Sequence, residues 1–187
     1  MVFSPKDDFL ITLGDANDRG MFVWDWQNQR KISQNRLSKP VLAIAFAPDQ
    51  SFFITGGYQH LKLWHMDPTT KQPVPKVDEG KKTSILSSDS ADLTKVKERQ
   101  VFVGLAIAEG NKIFALTIDG LIYVYNNKGE MQKWMNIKVP RAFSCKTNGK
   151  QLFCACADGI IRVFSVDTLH HLLSLSKPPP LGASNAM

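Results

Sequence analysis

The chain has 187 residues, of which 43% are apolar and 21% are charged. This composition is typical of a folded globular domain and excludes a disordered or low-complexity protein as the default interpretation. The formal net charge of +6 comes from 23 basic and 17 acidic residues, and the basic residues are spread along the chain, which favours a solvated, mildly basic surface over a stripe built for phosphate contacts.

The first half of the chain contains two copies of one pattern of short strands. A Phe-x-Pro motif at residues 3–5 recurs at residues 46–48, and each copy is followed by a polar turn, an apolar run and a strand that ends in Trp24 or Trp64. The alternating and apolar runs predict strands. We expect them near residues 1–3, 9–13, 21–26 and 30–33, and near residues 41–46, 52–55, 61–66 and 83–87.

A longer stretch separates the second unit from the third. Trp64 and Tyr125 are 61 residues apart, whereas Trp24 and Trp64 are 40 apart. The excess is rich in proline and carries both signs of charge, which predicts an insertion loop at residues 67–99. Two interpretations of this loop stay open: a disordered surface loop, or a loop that carries function on a rigid scaffold.

The second half of the chain repeats the same pattern twice more. We predict strands near residues 101–107, 113–117, 121–126 and 131–136, and near residues 142–146, 151–156, 160–165 and 170–175. Each unit has an aspartate-glycine pair, at residues 119–120 and 158–159, before its third strand, and such pairs are typical of tight turns. Residues 178–187 form a proline-rich tail.

The period of about 40 residues with four short strands per unit indicates the blades of a β-propeller. One blade cannot bury both of its faces, so neighbouring blades must stack. We predict an all-β fold of about four blades over residues 1–182, with blades near 1–37, 38–99, 100–138 and 139–177. Four blades leave a ring incomplete, so we expect the remaining blades or a second copy to close it. One equivalent position in the blades is predicted for Trp24, Trp64, Tyr125 and Phe164.

Several motifs resemble one family of WD-repeat scaffolds. Trp24-Asp25 is the dipeptide that names the WD repeats, although the other three units lack it. Residues 57–64, Trp134, residues 153–164 and the proline-rich end at 178–182 occur in the order seen in the family of mitogen-activated protein kinase-binding protein one and WD repeat-containing protein sixty-two. The chain is similar to part of the N-terminal propeller of that family, most strongly over residues 52–182.

The resemblance implies a non-enzymatic scaffold that binds proteins, with roles in kinase signalling and at centrosomes or spindle poles. The kinase-docking segments of the family lie in a tail beyond the propellers, so the resemblance assigns kinase binding to no residue here. WD repeats commonly tie a blade together through an aspartate in the turn before the third strand. Asp119 and Asp158 match that position, whereas the second unit has Tyr58 there.

Motifs that would carry catalysis or bind a cofactor are missing from the sequence. It contains neither a nucleophile-elbow Ser motif nor a glycine-rich phosphate loop. Cys145, Cys154 and Cys156 are an odd number without zinc-ligand spacing, which favours reduced core cysteines. The N-terminus lacks a signal-peptide pattern, and no run is long enough to span a bilayer. We therefore expect a cytoplasmic protein that is no enzyme and has no catalytic residue, metal site, cofactor or small-molecule substrate.

Candidate contacts with partner proteins fall in the turns that share one edge of the predicted blades. These turns lie near residues 15–20, 56–60, 119–120, 138–141 and 158–159, and the histidines are expected to be exposed. We single out Tyr58, His60, Lys138 and Arg141, with Arg141 preferred because arginine is enriched at interface hot spots. The alternative is that the same basic and aromatic residues bind nucleic acid.

Overall fold

A computed structural model describes residues 1–15, 17–67, 75–76 and 85–177. Within those residues the regular structure consists of eighteen strands and one 3-10 turn, Glu109–Asn111. The strands form four antiparallel sheets of four strands each and one sheet of two short strands. This arrangement confirms the predicted all-β fold with four blades. None of the described residues forms a helix that could span a membrane.

The four blades have the same internal order, from a first strand that lies beside those of the neighbouring blades to a fourth strand at the outer rim. The first blade consists of β1 (Val2–Phe3), β2 (Leu10–Leu13), β3 (Gly20–Asp25) and β4 (Arg30–Arg36). The second-blade region contains β5 (Val41–Phe46), β6 (Phe52–Gly57), β7 (His60–His65), β8 (Pro75–Lys76), β9 (Ile85–Leu86) and β10 (Ser88–Ser90). The third blade consists of β11 (Phe102–Ile107), β12 (Ile113–Thr117), β13 (Leu121–Tyr125) and β14 (Met131–Asn136). The fourth consists of β15 (Ala142–Thr147), β16 (Gln151–Cys156), β17 (Ile161–Ser165) and β18 (His171–Leu175).

The hydrophobic core is divided into three layers, one between each pair of adjacent blades. Successive residues of a strand point to opposite faces of its sheet, so one strand contributes to two layers. Phe114 of β12, for example, packs toward the fourth blade, while Ile113 and Ala115 pack toward the second. This double burial explains why the central strands are apolar almost throughout.

The second blade differs from the sequence prediction at its outer edge. Its fourth strand is β10, which pairs with β7. The strand predicted near 83–87 is present as β9, but its assignment as the fourth strand of the blade was wrong, because β9 pairs with β8 instead. Leu86 is buried against the first blade, and its backbone N–H donates to Asn35 Oδ1 at 3.2 Å. A contact with another blade, which no local pattern encodes, therefore decides where this strand lies.

The predicted insertion loop at 67–99 is consequently not one continuous loop. Residues 88–90 belong to the second blade, and residues 91–101 form the connection from its outer edge to the third blade. Residues 68–74 and 77–84 of the predicted loop lie outside the described residues, as does the proline-rich tail at 178–187.

Both outward faces of the four-blade stack carry apolar side chains. On the first blade, Leu10 and Trp24 are half-buried. On the fourth blade, the faces of β17 and β18 expose Ile161, Leu173 and Leu175 by 37%, 44% and 45%. The residues equivalent to Ile161 in the other blades, Met21, Leu61 and Ile122, are buried between blades, so at this position the stack ends in a surface of the type that its internal interfaces bury.

Candidate protein-binding face

Each blade carries one aromatic residue at the same register of its third strand. This aromatic, on the strand next to the outer one, pairs with an apolar residue of the second strand, in the pairs Trp24–Leu10, Trp64–Phe53, Tyr125–Ile113 and Phe164–Leu152. The last three aromatics are buried in the layer shared with the preceding blade. Trp24 has the same orientation and so lies on the outward face of the first blade.

Hydrogen bonds hold two of these aromatics in place. The indole N–H of Trp24 donates to Thr12 Oγ1 at 2.9 Å, and that of Trp64 donates to Thr55 Oγ1 at the same distance. Asp25, the residue after Trp24, closes the turn into β4 by accepting bonds from Asn28, which hold the pKa of its carboxyl below the usual range. The WD dipeptide of this blade is therefore structural.

His60 was predicted to be an exposed contact residue, and that prediction was wrong. Its side chain is only 4% exposed, and its Nε2 atom lies 2.9 Å from Thr55 Oγ1. Burial, together with the positive charges of Lys62 and Lys39, lowers the pKa of His60 to about 4. The imidazole is therefore neutral at pH 7 and packs inside the blade, because β7 begins at residue 60 and turns the ring inward.

The two aspartates predicted to tie their blades together have different surroundings. Asp158 accepts two bonds from the Arg162 guanidinium, at 3.1 and 2.6 Å, and one from the backbone N–H of Ile160. These bonds, from Arg162 above all, hold the pKa of Asp158 below its usual range. Asp119 is exposed, and its carboxylate forms no hydrogen bond with any described residue. The residue four positions on is Arg162 in the fourth blade but Tyr123 in the third, so only Asp158 has a partner.

The turns between second and third strands and the connections between blades lie on one edge of the sheets, which we call the turn face. It comprises the turns at 14–15 with 17–19, 58–59, 118–120 and 157–160, and the connections at 37–40, 91–101 and 137–141. Backbone bonds cross from blade to blade along it: Gln59 N–H donates to Gln100 O at 2.9 Å, and Ala142 N–H donates to Ile118 O at 2.8 Å. The turn face is thus a hydrogen-bonded platform.

Three of the four predicted contact residues are exposed on this turn face. Tyr58 is 43% exposed, and its backbone bridges to Val101 at the start of the third blade. Lys138 and Arg141 are exposed in the connection to the fourth blade, where the Arg141 carbonyl accepts the Ala157 N–H at 3.0 Å. Tyr58, Lys138 and Arg141 therefore lie exposed on one face, whereas His60 is buried.

A groove on the turn face was missed by the sequence analysis. Two adjoining cavities of about 390 and 200 Å³ share Lys39, Gln59 and Leu93 as lining residues. The larger cavity is also lined by Lys97 and Gln100. These residues come from two blade connections and the turn at 58–59, which meet only in the folded chain. The only sequence signal was their position between predicted strands.

The cysteine thiols are buried. All three cysteines are free and buried, and burial raises the pKa of the Cys145 thiol to about 12. Within the described ranges, no group of three or more histidine, cysteine or acidic side chains is arranged to hold a metal ion. The exposed polar groups of the turn face are consequently the candidates for contact with partners.

Comparisons with known proteins agree with the geometry. A family model described as WD domain, G-beta repeat matches residues 26–65. WD repeat-containing protein 62 of Sus scrofa is 31% identical over 86% of this chain and 10% of its own length. Mitogen-activated protein kinase-binding protein 1 of Homo sapiens is 28% identical over 86% of this chain and 11% of its own length. The chain thus spans about a tenth of these curated relatives.

Solved structures support the same fold. A structure of U3-55K has a TM-score of 0.68 and 15% identity, covering 91% of this chain and 49% of that one. The crystal structure of RRP9 WD40 repeats has a TM-score of 0.67 and 15% identity, covering 91% and 48%. At this identity the likeness shows the fold alone. With the repeat match over residues 26–65, this likeness supports a WD40-type β-propeller fold, and the chain is similar over 86% of its length to WD repeat-containing protein 62 and mitogen-activated protein kinase-binding protein 1.

Proposed function

We propose that this chain is a non-enzymatic scaffold that binds other proteins through its turn face. The observation that carries the proposal is the grouping of Tyr58, Lys138 and Arg141, all exposed, on an edge whose backbone is hydrogen-bonded from blade to blade. Tyrosine and arginine are the residue types enriched at interface hot spots. A rigid edge also loses little conformational entropy when a partner binds.

We take the proposed biological setting from the relatives. One of them is named as a mitogen-activated protein kinase-binding protein, and the family resemblance connects such propellers with kinase signalling and with centrosomes or spindle poles. We place this chain in the same setting, in the cytoplasm, as part of the proposal. The partners are then proteins of signalling or cytoskeletal assemblies, and no small-molecule substrate is involved.

Affinity capture tests the proposal. The chain and its Arg141→Ala and Tyr58→Ala variants are immobilised, exposed to a cell lysate, and the bound proteins are quantified by mass spectrometry. We expect both variants to lose a shared set of proteins by about tenfold or more, which corresponds to at least about 1.4 kcal/mol per contact.

The matched control is Lys150→Ala, because Lys150 is an exposed cation in the turn between β15 and β16, on the opposite edge of the sheets. Its captured set should equal that of the unchanged chain. If no captured protein depends on Arg141 or Tyr58, while the variants melt like the unchanged chain, the turn face is not the binding surface and the proposal fails.

A further inference from the structure

We propose that the groove lined by Lys39, Gln59, Leu93, Val96, Lys97 and Gln100 binds an extended, acidic segment of a partner protein. This inference rests on the proposed protein-binding function and adds to it the location of the site and the chemistry of the partner. We call this site the lysine groove.

The lysine groove is a continuous depression with an apolar floor. Its two cavities, of about 390 and 200 Å³, share Lys39, Gln59 and Leu93. Phe102 and Leu61, both buried, lie at the bottom, and Leu93 and Val96 are partly buried against the core layer between the second and third blades. Such a surface can receive the apolar side chains of a peptide that lies along it.

One buried polar atom in the groove has no partner. Gln100 is only 5% exposed, and no described residue donates a hydrogen bond to its Oε1 atom, although its backbone carbonyl accepts the Gln59 N–H at 2.9 Å. A buried acceptor without a donor costs about 1–3 kcal/mol. The backbone N–H groups of an extended peptide are donors of the required kind, because such a peptide has no internal hydrogen bonds. The Oε1 atom is closed to solvent, so the Gln100 side chain must turn toward the groove to accept one of them.

The charge of the groove selects an acidic ligand. Its lining contains three lysines, at positions 39, 62 and 97, and a single acidic residue, Glu98. Lys39 Nζ donates to the Gln59 carbonyl at 3.1 Å, which positions the ammonium group and leaves further N–H donors for a ligand. The low pKa of His60 beside them is due first to burial and then to the positive charges of Lys62 and Lys39, which agrees with a positive potential here.

The chemistry of the lining favours a peptide over a nucleic acid. Proteins that bind single-stranded nucleic acid combine basic groups with aromatic side chains on which bases stack. The lysine groove presents leucine and valine instead, its one aromatic, Phe102, is fully buried, and the exposed Tyr58 does not line it. Carboxylates that alternate with apolar side chains complement this lining.

The groove is formed before any ligand arrives. The segment that makes its wall is fixed at two points: Ala91 N–H donates to Leu61 O at 3.0 Å, and Asp92 N–H donates to Gly129 O at 2.8 Å. A preformed site loses little entropy on binding, so even a short segment can bind with measurable affinity.

Fluorescence anisotropy with a labelled peptide of alternating glutamate and leucine tests the inference. We expect the chain to bind this peptide and to bind the lysine-leucine counterpart at least tenfold more weakly. Lys97→Glu and Gln100→Leu should each weaken binding of the acidic peptide by about tenfold, the first by reversing a charge and the second by removing the acceptor. Lys150→Glu, which changes the net charge as Lys97→Glu does, should change it by less than about twofold.

The outcomes separate this inference from the proposed function. If the acidic peptide does not bind, or if Lys97→Glu and Gln100→Leu bind it like the unchanged chain, the lysine groove is not the site, while the dependence of captured proteins on Arg141 still stands or falls separately. A labelled single-stranded oligonucleotide is run in parallel. If it binds more tightly than the peptide and loses affinity with Lys97→Glu, the ligand is a nucleic acid and the inference is overturned.

Discussion

The hydroxyl oxygen of Thr55 accepts the indole N–H of Trp64 at 2.9 Å inside the second blade. His60 Nε2 lies 2.9 Å from the same oxygen, so one hydroxyl joins the second strand to both ends of the third. In the first blade Thr12 and Trp24 form the same pair at 2.9 Å, but glycine occupies the position that matches His60. The second blade thus has a buried three-residue network where the first has only a partly buried pair.

Replacing Thr55 with valine should destabilise the protein by about 1–3 kcal/mol. Valine preserves the shape of the side chain but leaves the Trp64 indole N–H without its acceptor in a buried position, and an orphaned buried donor carries this cost. Urea denaturation followed by tryptophan fluorescence measures the change. Thr12→Val is the control, because the Trp24–Thr12 bond is only part-buried. Equal losses for the two variants would contradict the role assigned to burial.

Acid should destabilise the protein between about pH 6.5 and pH 4. The pKa of His60 falls from 6.5 to about 4 on folding, so the unfolded chain binds more protons than the folded chain in this window. The contribution of neutral His60 to the free energy of unfolding is therefore fully present above pH 6.5. It is lost as the pH falls to about 4, and the total loss is roughly 3 kcal/mol. Melts at a series of pH values measure this slope.

The control for the pH dependence removes the titrating group. His60→Gln should lose the slope between pH 6.5 and 4, whereas His170→Gln should keep it. The carboxyls whose pKa values lie below 3.8, including those of Asp25 and Asp158, contribute only at lower pH. If His60→Gln retains the full slope, another group is responsible.

Replacing Phe164 with alanine should cost roughly 3–5 kcal/mol. The ring is 4% exposed in the layer between the third and fourth blades, and its removal leaves a cavity that the rigid neighbours cannot fill. A urea titration with an unchanged m value measures the loss.

Two further variants serve as controls for the Phe164→Ala measurement. Phe143→Ala removes a ring that is 54% exposed, so its loss should be well below that of Phe164→Ala. Tyr125→Phe changes the equivalent residue of the third blade, whose hydroxyl is buried without a partner among the described residues, and it should leave stability unchanged or raise it. A small loss for Phe164→Ala would mean that this aromatic does not pack between the blades.

The repeated aromatic residue is the feature from which the sequence alone predicts the number of blades. The spacing of Trp24, Trp64, Tyr125 and Phe164 and the apolar runs before them predicted four blades, and the structure confirms these. This was possible because strand alternation, tight-turn residues and a period of about 40 residues are local properties that repeat along the chain. The turns that carry Tyr58, Lys138 and Arg141 followed from the same strand order.

Tertiary contacts decided the features that the sequence did not predict. His60 was predicted at the surface but is buried beside Thr55. The fourth strand of the second blade lies at Ser88–Ser90 because Leu86 packs against the first blade. The lysine groove joins residue 39 to residues 93–100 across two blade connections. By itself, the sequence determined the class of fold and the number of blades, since both follow from local periodicity. The tertiary structure alone decided which polar side chains are buried, paired or gathered at one site, because those depend on contacts between segments far apart in the chain.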